Sequence, residues 1–247
     1  MASSRVRSKS KEIVYPESDG KPLGETGWHV TATLEFLADL KLYYEGRRDV
    51  YVASNMFLYF VEGDPTKVVC PDCMVIFGVD GNHERATFKT WVEHVVPAFV
   101  LEVSSKKTIR NDLGKKKAIY ADLGVRDYFL YDPLGDCLDV PLLGFRLDNR
   151  GVYQPIPVSP EGGLLSEAIG FEIVPEGREL RLIDPHTRTR RPFVREYRAL
   201  ASNATHAAER EREIAERERR RADEYAREVE RLKKLLAEGR GEPDQQS

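Results

Sequence analysis

An apolar run with one carboxylate inside it is the feature that most constrains how this chain can fold. The run, Pro97–Val103, predicts a β-strand, and Glu102 is its one charged residue. A lysine-rich helical stretch follows at Asp112–Leu123, and a further strand follows at Asp127–Asp132. A strand, a helix and another strand in succession form a crossover unit whose two strands pair in parallel. The sequence therefore predicts a mixed α/β core with Glu102 buried on a central strand.

The segments before this unit predict a helix and two strands. Apolar residues at helical spacing, among them Leu34, indicate a first helix over residues 28–44. Residues 49–61 and 74–78 are β-rich, whereas residues 80–93 are polar and predict a surface loop. The helix of the crossover unit is expected to be capped at its start by Asn111 or Asp112 and to end at Gly124.

The segment after the crossover unit predicts an antiparallel extension. From Cys137 to Asp184, short β pieces alternate with Gly, Pro and Asn, which is typical of hairpins. The predicted strands are residues 144–147, 152–156, 171–174 and 180–183.

After Arg198 the chain is mostly Arg, Glu and Ala and predicts a charged helix. Tyr225, Val229, Leu232 and Leu236 step by four, three and four, which is a heptad seam of about two well-defined heptads. A single solvated helix held by Glu–Arg pairs is the simpler interpretation, and a coiled coil that makes a homodimer is the alternative.

These patterns divide the chain into four parts. They are a disordered basic arm (1–12), a globular α/β domain (13–195), a charged helix (196–238) and a disordered tail (239–247).

Charge and hydropathy limit the classes of function. The net charge is −3, so nucleic acid would have to bind to a local basic patch. No stretch has the length and apolar character of a membrane span or a signal peptide, and we expect a cytoplasmic protein. The basic patch lies beside the predicted site and consists of Lys106, Lys107, Arg110, Lys115, Lys116 and Lys117.

The three cysteines do not predict a disulfide framework or a zinc site. Cys70 and Cys73 spell a CxxC motif, but the chain continues from Cys73 as a strand, and Cys137 is distant. We interpret the pair as coincidental.

Asp72 and Glu102 are the predicted metal ligands. A carboxylate within an apolar strand requires a cation nearby, because burial without one costs several kcal/mol. Asp72 stands at the start of a neighbouring strand, and Mg²⁺ prefers hard oxygen ligands. The two carboxylates, with the backbone carbonyl of Val103, are expected to bind Mg²⁺, and Mn²⁺ is an alternative.

Helix geometry selects the lysine that faces Glu102. At about 100° per residue from Leu113, Lys116 falls at about 300°, between Ile119 at about 240° and Tyr120 at about 340°. Lys116 therefore lies within the apolar stripe that faces the sheet, and Lys117 is the second choice. A cation there can orient the attacking water and stabilise charge on a phosphate.

Three segments resemble a known family. They are residues 70–77, 97–105 and 112–133, and the opening residues 15–22 and 25–29 are also similar. This part of the chain, about residues 13 to 185, is similar to the bacterial Uma-type putative restriction endonucleases of the PD-(D/E)xK superfamily.

The resemblance implies a restriction-endonuclease-like α/β/α core with a divalent metal at Asp72 and Glu102. Ser104 stands where the superfamily motif has its lysine, and Lys116 on the following helix takes that lysine's place. Glu25 or Glu35 would supply an acid from the first helix, and the sequence does not choose between them.

Two functions follow as hypotheses. The first is a Mg²⁺-dependent DNA endonuclease with Asp72 and Glu102 as ligands and Lys116 as polariser, its flanking basic residues contacting phosphates. The second is a catalytically silent scaffold in which Glu102 and Lys116 form a structural ion pair and the C-terminal helix binds a partner. RNA is a further candidate substrate of the first hypothesis.

Overall fold

The computed structural model describes residues 13–18 and 27–238, in two compact units that meet in sequence at Val194 and Arg195. The predicted arm (1–12) and tail (239–247) lie outside the described residues.

The first unit contains twelve described strands and four short or medium helices, and the second is a long helix. The helices are α1 Gly27–Tyr43, α2 Thr90–Glu93, α3 Ile109–Asn111, α4 Lys117–Leu123 and α5 Val194–Glu238, with a π-helical turn at Asp112–Lys116 between α3 and α4. The strands are β1 Val50–Ala53, β2 Leu58–Tyr59, β3 Val68–Val69, β4 Cys73–Phe77, β5 Phe88–Lys89, β6 Phe99–Val103, β7 Asp127–Tyr131, β8 Leu142–Leu147, β9 Tyr153–Pro155, β10 Leu164–Ser166, β11 Phe171–Glu176 and β12 Glu179–Ile183.

A six-stranded mixed sheet forms the centre of the first unit. Its strand order is β1–β4–β6–β7–β8–β9. Strands β6 and β7 pair in parallel across the predicted crossover, and the other pairs are antiparallel. The mixed α/β fold, the antiparallel extension and the C-terminal helix are thus confirmed.

The two faces of this sheet carry different helices, because successive residues of a strand point to opposite sides. On one face, Phe36 of α1 packs against Phe99 of β6, with ring centroids 6.0 Å apart. On the other face, Tyr120 of α4 packs against Tyr128 of β7 at 5.0 Å. Glu102 lies one residue from Leu101, whose side chain packs on the α1 side, and therefore points toward α4.

Two small sheets complete the unit. Strands β10, β11 and β12 form one, and β3, β2 and β5 form the other. The apolar residues of the first, such as Ile173 and Leu182, join the core on the α1 side of the central sheet.

Several predicted element details are wrong. In α1 the buried face contains Ala32, Phe36 and Leu40, four residues apart, whereas Leu34 is 54% exposed. Residues 80–93 are not all loop, since they include β5 and α2. Strand β10 is absent from the predicted strands, because three residues are too few to show the alternation that marks a strand.

The start of the crossover helix also differs from the prediction. The helix begins at Ile109, three residues before Asp112, and Asp112 is buried inside the π-helical turn. The reason is local: the Thr108 hydroxyl accepts the Ser105 N–H at 3.0 Å, so the chain already turns there. The predicted end is right, since Gly124 has φ of 84° and closes the helix with N–H bonds to two carbonyls.

Helix α5 is 45 residues long and carries exposed apolar side chains. Within residues 13–18 and 27–238, none of the helices has the length and apolar character needed to cross a membrane. The four seam residues are all exposed: Tyr225 by 74%, Val229 by 49%, Leu232 by 50% and Leu236 by 67%.

Candidate active site

Strand register brings Asp72 and Glu102 together. In the antiparallel pair of β4 and β6, Cys73 lies opposite Leu101. Extending this register by one residue sets Asp72 opposite Glu102, with both side chains on the α4 face. The Val103 N–H donates to Asp72 Oδ2 at 2.7 Å, which fixes the carboxylate at this end of the sheet.

Glu102 is almost fully buried and is held through both of its oxygens. Lys116 Nζ lies 2.7 Å from Oε2, and the Tyr120 hydroxyl donates to Oε1 at 2.6 Å. Burial raises the pKa of Glu102 to about 8, because desolvation and the charge of Asp72 together outweigh the attraction of Lys116 and the hydrogen bond from Tyr120. A neighbouring cation lowers the free energy of ionising Glu102, as Lys116 does here.

Lys116 lies between two acids. Its ammonium is 2.7 Å from Glu102 and 3.4 Å from Asp112 Oδ1. Burial by itself would lower the pKa of Lys116, but the charges of Glu102 and Asp112 raise it above the ordinary lysine value. Lys116 therefore keeps its proton at neutral pH and acts as a fixed cation rather than as a base.

The helical wheel identified Lys116 although one of its assumptions is wrong. Leu113, the reference residue of the apolar stripe, is 41% exposed. The π-helical turn Asp112–Lys116 changes the residue rotation between Leu113 and the following α-helix. From Lys116 onward the helix is regular, so Lys116 and Tyr120, four residues apart, face Glu102 together.

Asp112 and Ser104 belong to the same group of polar residues, and the sequence argument missed them. Asp112 is 1% exposed, and its Oδ2 accepts a hydrogen bond from the Ser104 hydroxyl at 3.2 Å. The Tyr128 hydroxyl donates to the Asp112 backbone carbonyl at 3.0 Å. The signal for Asp112 was its position four residues before Lys116, a spacing that places two helical side chains side by side.

A cavity of about 370 Å³ opens over these groups. Lys106 and Lys107 lie on its lining, and Lys106 Nζ is 3.2 Å from Asp136 at the rim. Lys117 lies elsewhere: its ammonium is 3.4 Å from the centre of the Phe145 ring, and burial lowers its pKa. The lining comprises His29, Asp72, Glu102, Val103, Ser104, Ser105, Lys106, Lys107, Thr108, Asp112, Lys116, Pro133, Leu134 and Asp136.

His29 is a further cavity residue that the sequence argument did not select. Its Nε2 lies 3.3 Å from Asp72 Oδ2, and its side chain is 14% exposed. The sequence held a signal: His29 precedes Ala32 and Phe36 by three and seven residues, so it shares the buried face of α1.

Glu35, one of the two acids predicted from the first helix, does not join this group. Glu35 lies near Asp39, whose pKa it helps to raise, and it is absent from the cavity lining. Glu25 lies outside the described residues.

The residues at the cavity fit a hard divalent cation. Asp72 and Glu102 offer carboxylate oxygens side by side, and the charge of Asp72 helps to raise the pKa of Glu102. The role of the Val103 carbonyl as a ligand stays a prediction. The contact that the structure gives Val103 at this site is made by its N–H, which donates to Asp72.

A second acidic cluster, Asp132, Asp136 and Cys137, also has ligand atoms within 4.8 Å of one another. The carboxylate of Asp132 is already occupied, because it accepts N–H bonds from four loop residues. Burial raises the pKa of Asp132, but these bonds outweigh burial and lower it overall. The cluster therefore serves to hold its own loop. The four donors are Leu134, Gly135, Cys137 and Leu138.

Comparison with known proteins gives a family and several similar solved structures, among them a putative nuclease. The model of a family described as "Uma2: Putative restriction endonuclease" matches residues 12–202. The solved structure of "a putative nuclease belonging to DUF820" from Anabaena variabilis ATCC 29413 is 15% identical, with a TM-score of 0.43. The match covers 59% of this chain and 75% of that chain. No curated protein matches the chain.

Proposed function

Since the chain belongs to the Uma2 family of putative restriction endonucleases, we propose that it is a nuclease that uses a divalent metal to hydrolyse DNA phosphodiester bonds. The observation that carries this proposal is the meeting of Asp72, Glu102 and Lys116 at one cavity. Two carboxylates can hold a metal ion and a protonated lysine can stabilise developing negative charge, so the three groups suit metal-assisted phosphodiester hydrolysis.

Asp72 and Glu102 hold the metal in this proposal, with Mg²⁺ as the first choice and Mn²⁺ as the alternative. All of their donor atoms are oxygens, which Mg²⁺ prefers. The bound cation supplies Lewis acidity to a phosphate oxygen and lowers the pKa of a bound water. The hydrogen bonds from Val103 N–H and Tyr120 orient the two carboxylates.

Lys116 stabilises negative charge that develops on the scissile phosphate. Its raised pKa keeps it protonated, and its contacts with Glu102 and Asp112 hold the ammonium in place. A fixed cation needs little reorganisation when charge develops, and such groups are typically worth about 10²–10³ in rate.

The basic residues beside the cavity are proposed to contact the DNA backbone. Lys106 and Lys107 line the cavity, while Arg110 and Lys115 are exposed on the helix that follows. Lysine and arginine at such positions bind phosphates without reading sequence. Lys117 contributes less in this arrangement, since its ammonium packs on Phe145.

The proposal is tested with purified protein, plasmid DNA and Mg²⁺ or Mn²⁺. We expect metal-dependent cleavage that falls by about 10²-fold or more in Asp72→Asn, Glu102→Gln and Lys116→Met. Lys67→Met, at an exposed lysine outside the cavity lining, is the matched control and should keep most of the activity. A labelled RNA in the same assay tests the alternative substrate. Cleavage that survives in all three site variants would refute the assignment.

A scaffold is the second candidate, and one observation favours it. Both oxygens of Glu102 are already bound by Lys116 and Tyr120, as in a purely structural ion pair. A scaffold should show no thermal stabilisation by Mg²⁺ or Mn²⁺, whereas a metal-binding nuclease gains stability with the logarithm of the metal concentration above the dissociation constant. Self-association would then occur through the seam of α5.

A further inference from the structure

We propose that His29 supplies a nitrogen ligand to the cation at Asp72 and Glu102 and thereby makes this site prefer Mn²⁺ to Mg²⁺. This inference rests on the metal site of the proposed function. It adds a ligand from α1, which lies on the opposite face of the sheet from Lys116. It also adds a preference for Mn²⁺ over Mg²⁺ that the carboxylates alone would not give.

The position of the His29 imidazole carries the inference. Its Nε2 lies 3.3 Å from Asp72 Oδ2 and borders the same cavity as Glu102. Two neighbouring ligands of an octahedral ion, each about 2.1 Å from it, are about 3.0 Å apart. The separation of Nε2 and Oδ2 is therefore close to that of two ligands of a single ion.

The fold holds the imidazole at this position. His29 is on the buried face of α1, and Ala32 and Phe36 on that face pack into the core. Asp72 is fixed in turn by the Val103 N–H. A carboxylate has about four lone-pair positions, so this one bond leaves Asp72 able to bind a cation.

The chemistry of imidazole gives the direction of the selectivity. Mg²⁺ takes oxygen ligands and retains its waters, so a nitrogen donor adds little to its binding. Mn²⁺ is a first-row transition ion, and imidazole is a good ligand for such ions. Loss of the imidazole should therefore weaken Mn²⁺ binding much more than Mg²⁺ binding.

The competing role for His29 is a simple charge partner of Asp72. A protonated imidazole at 3.3 Å would stabilise the carboxylate without binding any metal. The two roles differ in one direct observable, which is whether a nitrogen nucleus is coupled to the bound ion.

The experiment is pulsed electron paramagnetic resonance of Mn²⁺ bound to the full-length chain at mildly alkaline pH, together with calorimetric titration of Mn²⁺ and Mg²⁺. We expect coupling to an imidazole ¹⁴N in the unaltered protein. In His29→Ala this coupling should disappear, and Mn²⁺ affinity should fall by about tenfold or more, the size seen even for outer-shell partners. Mg²⁺ affinity should change by less than about twofold. The exposed His83→Ala is the matched control and should leave both readouts unchanged.

The outcomes separate this inference from the proposed function. Bound Mn²⁺ without nitrogen coupling in the unaltered protein would overturn the role of His29 and leave the proposed function standing. This measurement does not depend on whether the His29→Ala variant folds. Failure of the unaltered protein to bind either ion would overturn both proposals. Nitrogen coupling in a protein that cleaves no DNA would support the ligand and refute the nuclease.

Discussion

At the residue scale, Glu102 and Lys116 depend on each other. Glu102 is 1% exposed, and the Lys116 ammonium forms an ion pair with it at 2.7 Å. A buried ion pair contributes little net stability, yet loss of one partner leaves an uncompensated charge. The pair therefore fixes the positions of the two charged groups and adds little to the free energy of unfolding.

This dependence predicts an asymmetric double-mutant cycle. Lys116→Met should lower the free energy of unfolding by about 1–3 kcal/mol, because Glu102 is left buried without its cation. Adding Glu102→Gln should restore at least half of the loss, because the charge is removed. Urea unfolding in a chelator measures both, and a double variant as unstable as the single one would contradict the coupling.

At the element scale, the helix of the crossover unit and α1 approach the site from opposite faces of the sheet. The π-helical turn of the crossover helix carries Asp112 and Lys116, and α4 carries Tyr120. Helix α1 carries His29 near its start. Substitutions in each element test how much its backbone or its buried charge contributes to the free energy of unfolding.

Two glycines of the crossover helix, Gly114 in the π-helical turn and Gly124 at the end of α4, are expected to respond oppositely to substitution. Gly114→Ala should raise the free energy of unfolding by about 0.5–1 kcal/mol, since alanine favours helix and its Cβ would meet no atom within 4 Å. Gly124→Ala should lower it by about 1 kcal/mol, because φ of 84° disfavours a side chain. Chemical denaturation measures the free energy of unfolding of both variants, and two changes of the same sign would contradict this prediction.

Asp39 of α1 predicts a pH dependence of stability. Burial raises its pKa to about 6, with Glu35 adding to the effect and Arg191 opposing it. The folded state therefore holds the proton more tightly than the unfolded chain. The stability that this proton gives is complete below about pH 4 and is lost as the pH rises through about 6.

Asp39→Asn should remove this loss. Relative to the unaltered protein, its free energy of unfolding should rise by on the order of 2 kcal/mol between about pH 4 and 7. Asp122→Asn, an exposed position on α4, should show no such relative change. Parallel curves for Asp39→Asn and the unaltered protein would mean that Asp39 does not titrate in this range.

At the scale of the whole molecule, the chain consists of a unit that contains the cavity and a second unit formed by α5. The α5 seam exposes large apolar side chains, and burial of such residues against a second copy is what stabilises a coiled coil. The seam spans only about two heptads, so the expected association is weak.

The seam predicts a concentration-dependent dimer of the full-length chain. Val229→Ser combined with Leu232→Ser should shift sedimentation toward the monomer by at least about tenfold in dissociation constant, because each change removes buried apolar area. Ala226→Ser, one position off the seam, should leave the equilibrium unchanged. A wild-type chain that remains monomeric at high concentration would favour the solvated helix.

The sequence by itself determined the elements whose signal is local. The apolar run with Glu102, the crossover to the next strand and the charged C-terminal helix each follow from patterns within about twenty residues. The alternation of strand residues and the helical spacing of Lys116 and Tyr120 also identified the lysine that contacts Glu102. The roles of these residues in binding and catalysis stay predictions.

The tertiary structure alone decided which distant residues share the cavity. Asp72 was predicted to meet Glu102, but His29 and Asp112 come from two other elements, and the helical spacing of each does not show that both reach the same cavity. Their meeting depends on the register between β4 and β6 and on the π-helical turn, which shifts the residues before Lys116 off the regular wheel. Strand register and the packing of α1 are set by the combined burial of many side chains, so no single segment of the sequence encodes them.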